Sequence, residues 1–163
     1  MKKILFTLAL VGVCAITAYT QNYKSAIGLR LGIPNSISFK TFISEPGAIE
    51  IFAGFRNYRN LDYSWFNVGG LYQHHFPITG APGLKWYVGG GVSAFFWNYE
   101  YDLPGTDDTN LSVGILGNLG LDYKIATAPI NLSVDWVPSI FVNGFDSGFG
   151  AGYGAFSIRY TLK

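Results

Sequence analysis

From Tyr23 to the C-terminus the chain alternates apolar and polar residues with a period of two, and clusters of Gly, Pro, Asn and Asp interrupt the alternation. Successive side chains of a strand point to opposite faces, so this pattern predicts half-apolar β-strands separated by turns. Eight segments carry it. The first, Tyr23 to Ile33, sets Ile27, Leu29, Leu31 and Ile33 against Lys24, Gly28, Arg30 and Gly32. The second, Ser36 to Ser44, sets Ile37, Phe39 and Ile43 against Ser38 and Lys40. The third, Ala48 to Asn57, sets Ile49, Ile51, Ala53 and Phe55 against Glu50, Gly54 and Arg56. The fourth, Ser64 to Phe76, sets Phe66, Val68, Tyr72 and Phe76 against Asn67, Gly69, Gln73 and His75. The fifth, Leu84 to Asn98, sets Trp86, Val88, Val92, Ala94 and Phe96 against Lys85, Tyr87, Gly89, Gly91 and Ser93. The sixth, Leu111 to Ile125, sets Val113, Ile115, Leu119, Leu121 and Tyr123 against Ser112, Gly114, Asn118, Asp122 and Lys124. The seventh, Ile130 to Val137, sets Ile130, Leu132, Val134 and Trp136 against Asn131, Ser133 and Asp135. The eighth closes the chain, with Phe156, Ile158, Tyr160 and Leu162 opposed to Tyr153, Ser157, Arg159 and Thr161.

Alternation alone does not say which face points out, because a soluble lipocalin-like barrel alternates too, with its apolar side chains inside. Charge decides. Lys24, Arg30, Lys40, Glu50, Arg56, Lys85, Asp122, Lys124, Asp135 and Arg159 all fall on the polar face. That face is otherwise rich in Gly, Ser and Asn, which suit a crowded interior rather than a surface in water. The opposite face is a band of Ile, Leu, Val and Phe, with Tyr23, Trp86, Tyr123, Trp136 and Tyr160 read as its aromatic girdles. The expected fold is an all-β, eight-stranded antiparallel up-and-down transmembrane β-barrel.

The connections agree. Short turns at Glu45 to Gly47, Ile78 to Gly83 and Ala126 to Ala128 alternate with longer ones at Tyr58 to Tyr63, Tyr99 to Asn110 and Ser139 to Gly148. Outer-membrane barrels alternate short periplasmic turns with longer external loops. An even strand number then puts both termini on the periplasmic side. The connection at Pro34 is shorter than this scheme expects.

Composition and the N-terminus place the chain at a membrane. Charged residues make up 13% and aromatic residues 17%, whereas soluble domains carry roughly 25% charged residues. Lys2 and Lys3 precede an apolar run from Ile4 to Ala18, the grammar of a cleaved signal peptide over residues 1–20, with the cut after Thr20. Cys14 lies within that run, and Val13 before it replaces the small residue of a lipoprotein signal, so the mature chain from residue 21 has no cysteine and no disulfide. It also holds no apolar run long enough for a transmembrane helix, which leaves a barrel as the way to span lipid. Without Lys2 and Lys3, nine basic residues balance ten acidic ones and form no basic block, so nucleic acid is not an expected partner.

With Gly120 to Lys124 leading into Asp135 to Pro138, and with this closing strand, the chain resembles the small eight-stranded OmpA/OmpX-like outer-membrane barrels. The resemblance covers the whole mature chain and rests mostly on architecture. It implies a bacterial outer-membrane location, contact with outer-membrane lipids and lipopolysaccharide, and folding by the barrel-assembly machinery. The assembly signal it implies is Phe156, Ile158, Tyr160 and Leu162, although Lys163 stands where the family has a terminal aromatic residue. Members serve as structural anchors, adhesins, resistance factors or narrow pores, so a structural, envelope-integrity or surface-interaction role without enzymatic activity is implied.

Candidate chemistry is sparse, and no catalytic, cofactor or metal constellation is read. The inward charges Arg30, Lys40, Glu50, Arg56, Asp122, Asp135 and Arg159 are expected to pair as a stabilising polar network, because an unpaired ion in such an interior is costly. Lys40 and Glu50, on adjacent strands, are one expected pair. Phe42, Phe52, Trp65, Tyr87, Phe95, Trp97, Leu116 and Tyr153 should fill the rest of the lumen and disfavour an open pore. Adjacent strand residues His74 and His75 must face opposite sides and cannot share a site, which weighs against a His-based lipid-modifying enzyme. Gly89, Gly90 and Gly91 lack the Lys-Ser/Thr pair and helix of a phosphate loop and read as strand glycines easing curvature or close packing. Glu100, Asp102, Asp107 and Asp108 form an acidic loop without calcium-loop spacing, either solvated or in contact with a weakly held cation or an external partner. Trp97, Tyr99, Tyr101 and Phe145 belong either to an adhesive surface or to the upper girdle.

Overall fold

The computed structural model describes residues 23–58, 63–99, 111–142, 148–150 and 153–162. The leader 1–20, the acidic loop residues Glu100, Asp102, Asp107 and Asp108, and Tyr101 and Phe145 lie outside them.

Among the described residues ten strands follow in order: β1 (Ser25–Ile33), β2 (Asn35–Phe42), β3 (Gly47–Tyr58), β4 (Tyr63–Pro77), β5 (Leu84–Tyr99), β6 (Leu111–Lys124), β7 (Ile130–Trp136), β8 (Ser139–Phe141), β9 (Gly148–Gly150) and β10 (Gly154–Leu162). Neighbours pair antiparallel, and β1 pairs β10 along its length, with Ser25 opposite Leu162 and Ile33 opposite Gly154. With β5 joined to β6, the sheet closes on itself. The ten strands make eight staves, because β8 continues the line of β7 and β9 that of β10. Closure leaves no unpaired edge in lipid, which is what lets strands cross a membrane.

The last two staves run further than the alternation suggests. Ser139 to Gly148 reads as a loop in the sequence, yet Ser139–Phe141 and Gly148–Gly150 are paired strands. Pro138 has no N–H and interrupts the ladder, but its carbonyl accepts from the Gly117 N–H at 2.7 Å. Ser139, Ile140 and Phe141 then resume the in-out-in alternation.

The apolar face points outward. Ile37 is 62% exposed, Val92 59% and Phe55 57%, and the outward residues of the other staves behave alike. Arg30, Lys40, Glu50, Asp122, Asp135 and Arg159 are buried. This is the reverse of a lipocalin-like barrel, which would show an apolar cavity and a polar exterior. Two girdle assignments change. Trp136 faces outward but lies within the apolar band, since β8 carries the stave past it. Tyr23 sits at the lumen mouth, its ring edge-on to Phe42 and its hydroxyl 3.5 Å from the Asp122 carboxylate, because the strand it was assigned to begins only at Ser25.

The lumen is filled in layers, legible along β4 from its turn end. His75 and Gln73 belong to a polar layer, Leu71 to an apolar one with Phe52, Leu116 and Val137, and Trp65 to an aromatic one with Phe95 and Phe141. Interior glycines make room for these rings. A side chain at Gly120 would begin 2.6 Å from the Tyr87 ring, and one at Gly69 would begin 2.5 Å from that of Phe52. At Gly89 and Gly91 the obstacle is backbone: a Cβ would lie 1.8 Å from the Tyr72 carbonyl oxygen and 1.9 Å from that of Gly70. These two positions require glycine for close approach of the neighbouring strand.

Candidate functional site

The charged residues that alternation puts inside converge from six staves into two joined clusters. In the first, Arg30 on β1 donates to Glu50 on β3 at 2.9 Å and to Asp135 on β7 at 3.0 Å. Arg159 on β10 also donates to Glu50, and reaches Ser38 at 2.9 Å and Ser133 at 2.7 Å. The second Glu50 oxygen accepts from Gln73 at 2.8 Å. Asp135 accepts further bonds from the Tyr87 hydroxyl at 3.1 Å and the Ala155 N–H at 3.1 Å. In the second cluster the Lys40 ammonium donates to Asp122 at 2.6 Å and to His75 Nε2 at 2.9 Å. Asn131 donates to the other Asp122 oxygen at 2.7 Å. Tyr87 joins the two, since its ring lies under the Lys40 ammonium at 4.7 Å while its hydroxyl holds Asp135.

Three cations, Arg30, Lys40 and Arg159, thus meet three anions, Glu50, Asp122 and Asp135. This network is electrically balanced, and each carboxylate accepts at least three hydrogen bonds, so its desolvated charges are compensated. The expected Lys40–Glu50 pair is not an ion pair. The two residues are register partners across β2 and β3, but Lys40 turns to Asp122 and Glu50 to the two arginines. In a lumen this narrow, a partner across the barrel is as reachable as a cross-strand neighbour. Arg56 lies further along β3, half-buried, opposite Trp65.

His75 belongs to this network, a role the sequence left open between rim and lumen. An ammonium only donates, so Nε2 accepts from Lys40 and the ring is the neutral tautomer protonated on Nδ1. His74 lies on the opposite face, its ring tilted against that of Phe76 at 4.7 Å. Gln73, Tyr87, Asn131, Ser38 and Ser133 complete the network without having been singled out as members; their shared inward parity with the charged residues is the signal that finds them. Lumen-facing Phe42, Phe52, Trp65, Phe95 and Leu116 pack above and below it. Among the described residues no group of three or more His, Cys, Asp or Glu could hold a metal ion. Every ionised group here has its partner in the protein, an arrangement suited to holding the wall together.

Phe156, Ile158, Tyr160 and Leu162 form an outward row on β10, the stave that pairs with β1 to close the barrel. No family model matches the chain, and no curated protein does. Among solved structures, Neisserial surface protein A (NspA) aligns with a TM-score of 0.55 at 15% identity, over 85% of this chain and 93% of that one. The Yersinia pestis outer membrane protein Ail, solved in a phospholipid bilayer nanodisc, aligns with a TM-score of 0.50 at 12% identity, over 86% of this chain and 100% of that one. Closed topology, outward apolar belt, ion-paired lumen and these likenesses agree: the chain has the fold of the small eight-stranded outer-membrane β-barrels to which the OmpA/OmpX-like proteins belong.

Proposed function

We propose that the protein is an integral, non-enzymatic and non-conducting barrel of a bacterial outer membrane, with both termini periplasmic, that contributes to envelope integrity or surface contacts through its external loops. The observation that carries this reading is the filled lumen. A network of six balanced charges, an apolar layer and an aromatic layer succeed one another across it. Ions would have to break compensated pairs and pass two apolar constrictions, and a substrate would find each ionised group already engaged.

What remains available for contact is the outer belt and the connections at the end opposite the short turns. On this reading the belt meets outer-membrane lipid and lipopolysaccharide, the β10 row is read by the barrel-assembly machinery, and the segments 100–110 and 143–147 meet external partners. Two measurements test it. Purified protein in planar bilayers should give no conductance steps above the bare membrane; regular steps would overturn the non-conducting role. Cells lacking the protein should become detergent-sensitive, the intact chain should restore resistance, and a chain with 100–110 and 143–147 replaced by short Gly-Ser turns should fold without restoring it.

A further inference from the structure

Between the apolar layer and the aromatic layer, just inside the β1–β2 turn, lies a cavity of about 30 Å³. Its walls include Pro34, Ser36, Phe52, Asn67, Phe95 and Tyr153. Asn67 is 2% exposed, and its Oδ1 makes no hydrogen bond to the protein. The amide is held the other way by its Nδ2, which donates to Ser93 Oγ at 3.5 Å, while that hydroxyl donates onward to the Val68 carbonyl at 3.0 Å. Ser36 Oγ donates to the Pro34 carbonyl at 3.1 Å and so keeps its lone pairs free to accept.

Gly54 fixes how these two oxygens stand. The point where its Cβ would be lies 2.5 Å from Ser36 Oγ and 2.7 Å from Asn67 Oδ1, so the oxygens are at most about 5.2 Å apart. One water donating to both, with hydrogen bonds of about 2.8 Å, spans that gap. Size discriminates among occupants. A cavity needs roughly 10–15 Å³ in this measure to hold a water and about 150 Å³ to take up benzene. A volume of 30 Å³ therefore admits water and is far smaller than a benzene-binding cavity.

We infer that the protein holds an ordered water in this cavity, bridging Asn67 Oδ1 on β4 to Ser36 Oγ on β2 beside Gly54 on β3. The water links polar groups of two staves, β2 and β4, directly beneath the one-residue β1–β2 turn. A side chain at 54 would press on both oxygens and on Pro34 and displace the pair that holds the water.

The test is water-to-protein nuclear Overhauser transfer on the full mature chain in nanodiscs, read at the Asn67 side-chain amide and the Ser36 β-protons. A cross-peak with the sign of a long-lived water is expected at both. It should vanish in Asn67→Leu, which keeps the branched shape and removes the polar partner, and in Gly54→Ala, whose methyl would press on both oxygens. Should Gly54→Ala fail to fold, Asn67→Leu alone decides. Assigned wild-type resonances without a cross-peak, or a Ser36 cross-peak that survives in Asn67→Leu, would overturn the site.

Discussion

Arg159 donates to Glu50 across the lumen, from the last strand of the barrel to the third, beside the seam where β10 meets β1. Glu50 is shared with Arg30, which Asp135 also holds, so one carboxylate bridges two buried guanidinium groups. Glu50→Gln keeps its shape and removes the charge, leaving both arginines with less compensation. Breaking a buried pair by removing one partner costs about 3–5 kcal/mol. The temperature at which the folded band disappears in SDS gels, boiled against unboiled, should fall sharply for Glu50→Gln, and an unchanged transition would show that the network does not stabilise the wall.

Lys40 and Asp122 allow the complementary experiment. Asp122→Leu leaves the Lys40 ammonium with neutral contacts, His75 and the rings of Tyr87 and Phe42, and without its anion, so it should be strongly destabilising. Lys40→Met with Asp122→Leu removes both charges, and an apolar replacement of a whole buried pair is often neutral. The double variant is expected to recover most of the loss, and urea unfolding in lipid vesicles across the four-member cycle measures the coupling.

The three consecutive glycines of β5 should respond unequally. At Gly89 and Gly91 a methyl would strike carbonyl oxygens of β4 at under 2 Å, whereas at Gly90 the nearest atom is the Leu116 carbonyl oxygen at 3.0 Å. Gly89→Ala and Gly91→Ala should abolish refolding or reduce its yield severely, and Gly90→Ala should retain most of it. Equal yields for all three would contradict the close approach of β4 and β5.

Val92 tests the outward face itself. It is 59% exposed and pairs with Gly70 and Ile115 in the middle of long strands. Val92→Arg should cost about 2–4 kcal/mol in a bilayer, the penalty for a lipid-facing cation near the midplane. In a soluble barrel the same change on an exposed position would be nearly silent. Equilibrium unfolding in vesicles distinguishes these outcomes.

The sequence by itself determined the staves, their faces and the closure of the barrel. A period of two is a local property: once Ile27, Leu29 and Leu31 share a face, Gly28 and Arg30 must share the other. The charged parity is otherwise Gly, Ser and Asn, small residues that suit a crowded interior more than a surface in water. The extra length of the last two staves was hidden, since Pro138 and the glycines after it read as loop, and only pairing with β6 shows Ser139–Phe141 as strand. Tertiary structure alone decided which inward charge meets which. Lys40 faces Glu50 in register yet bonds Asp122, eighty-two positions away in the chain. Parity tells a side chain to point inward; the curvature that brings β2 opposite β6 decides what it finds there.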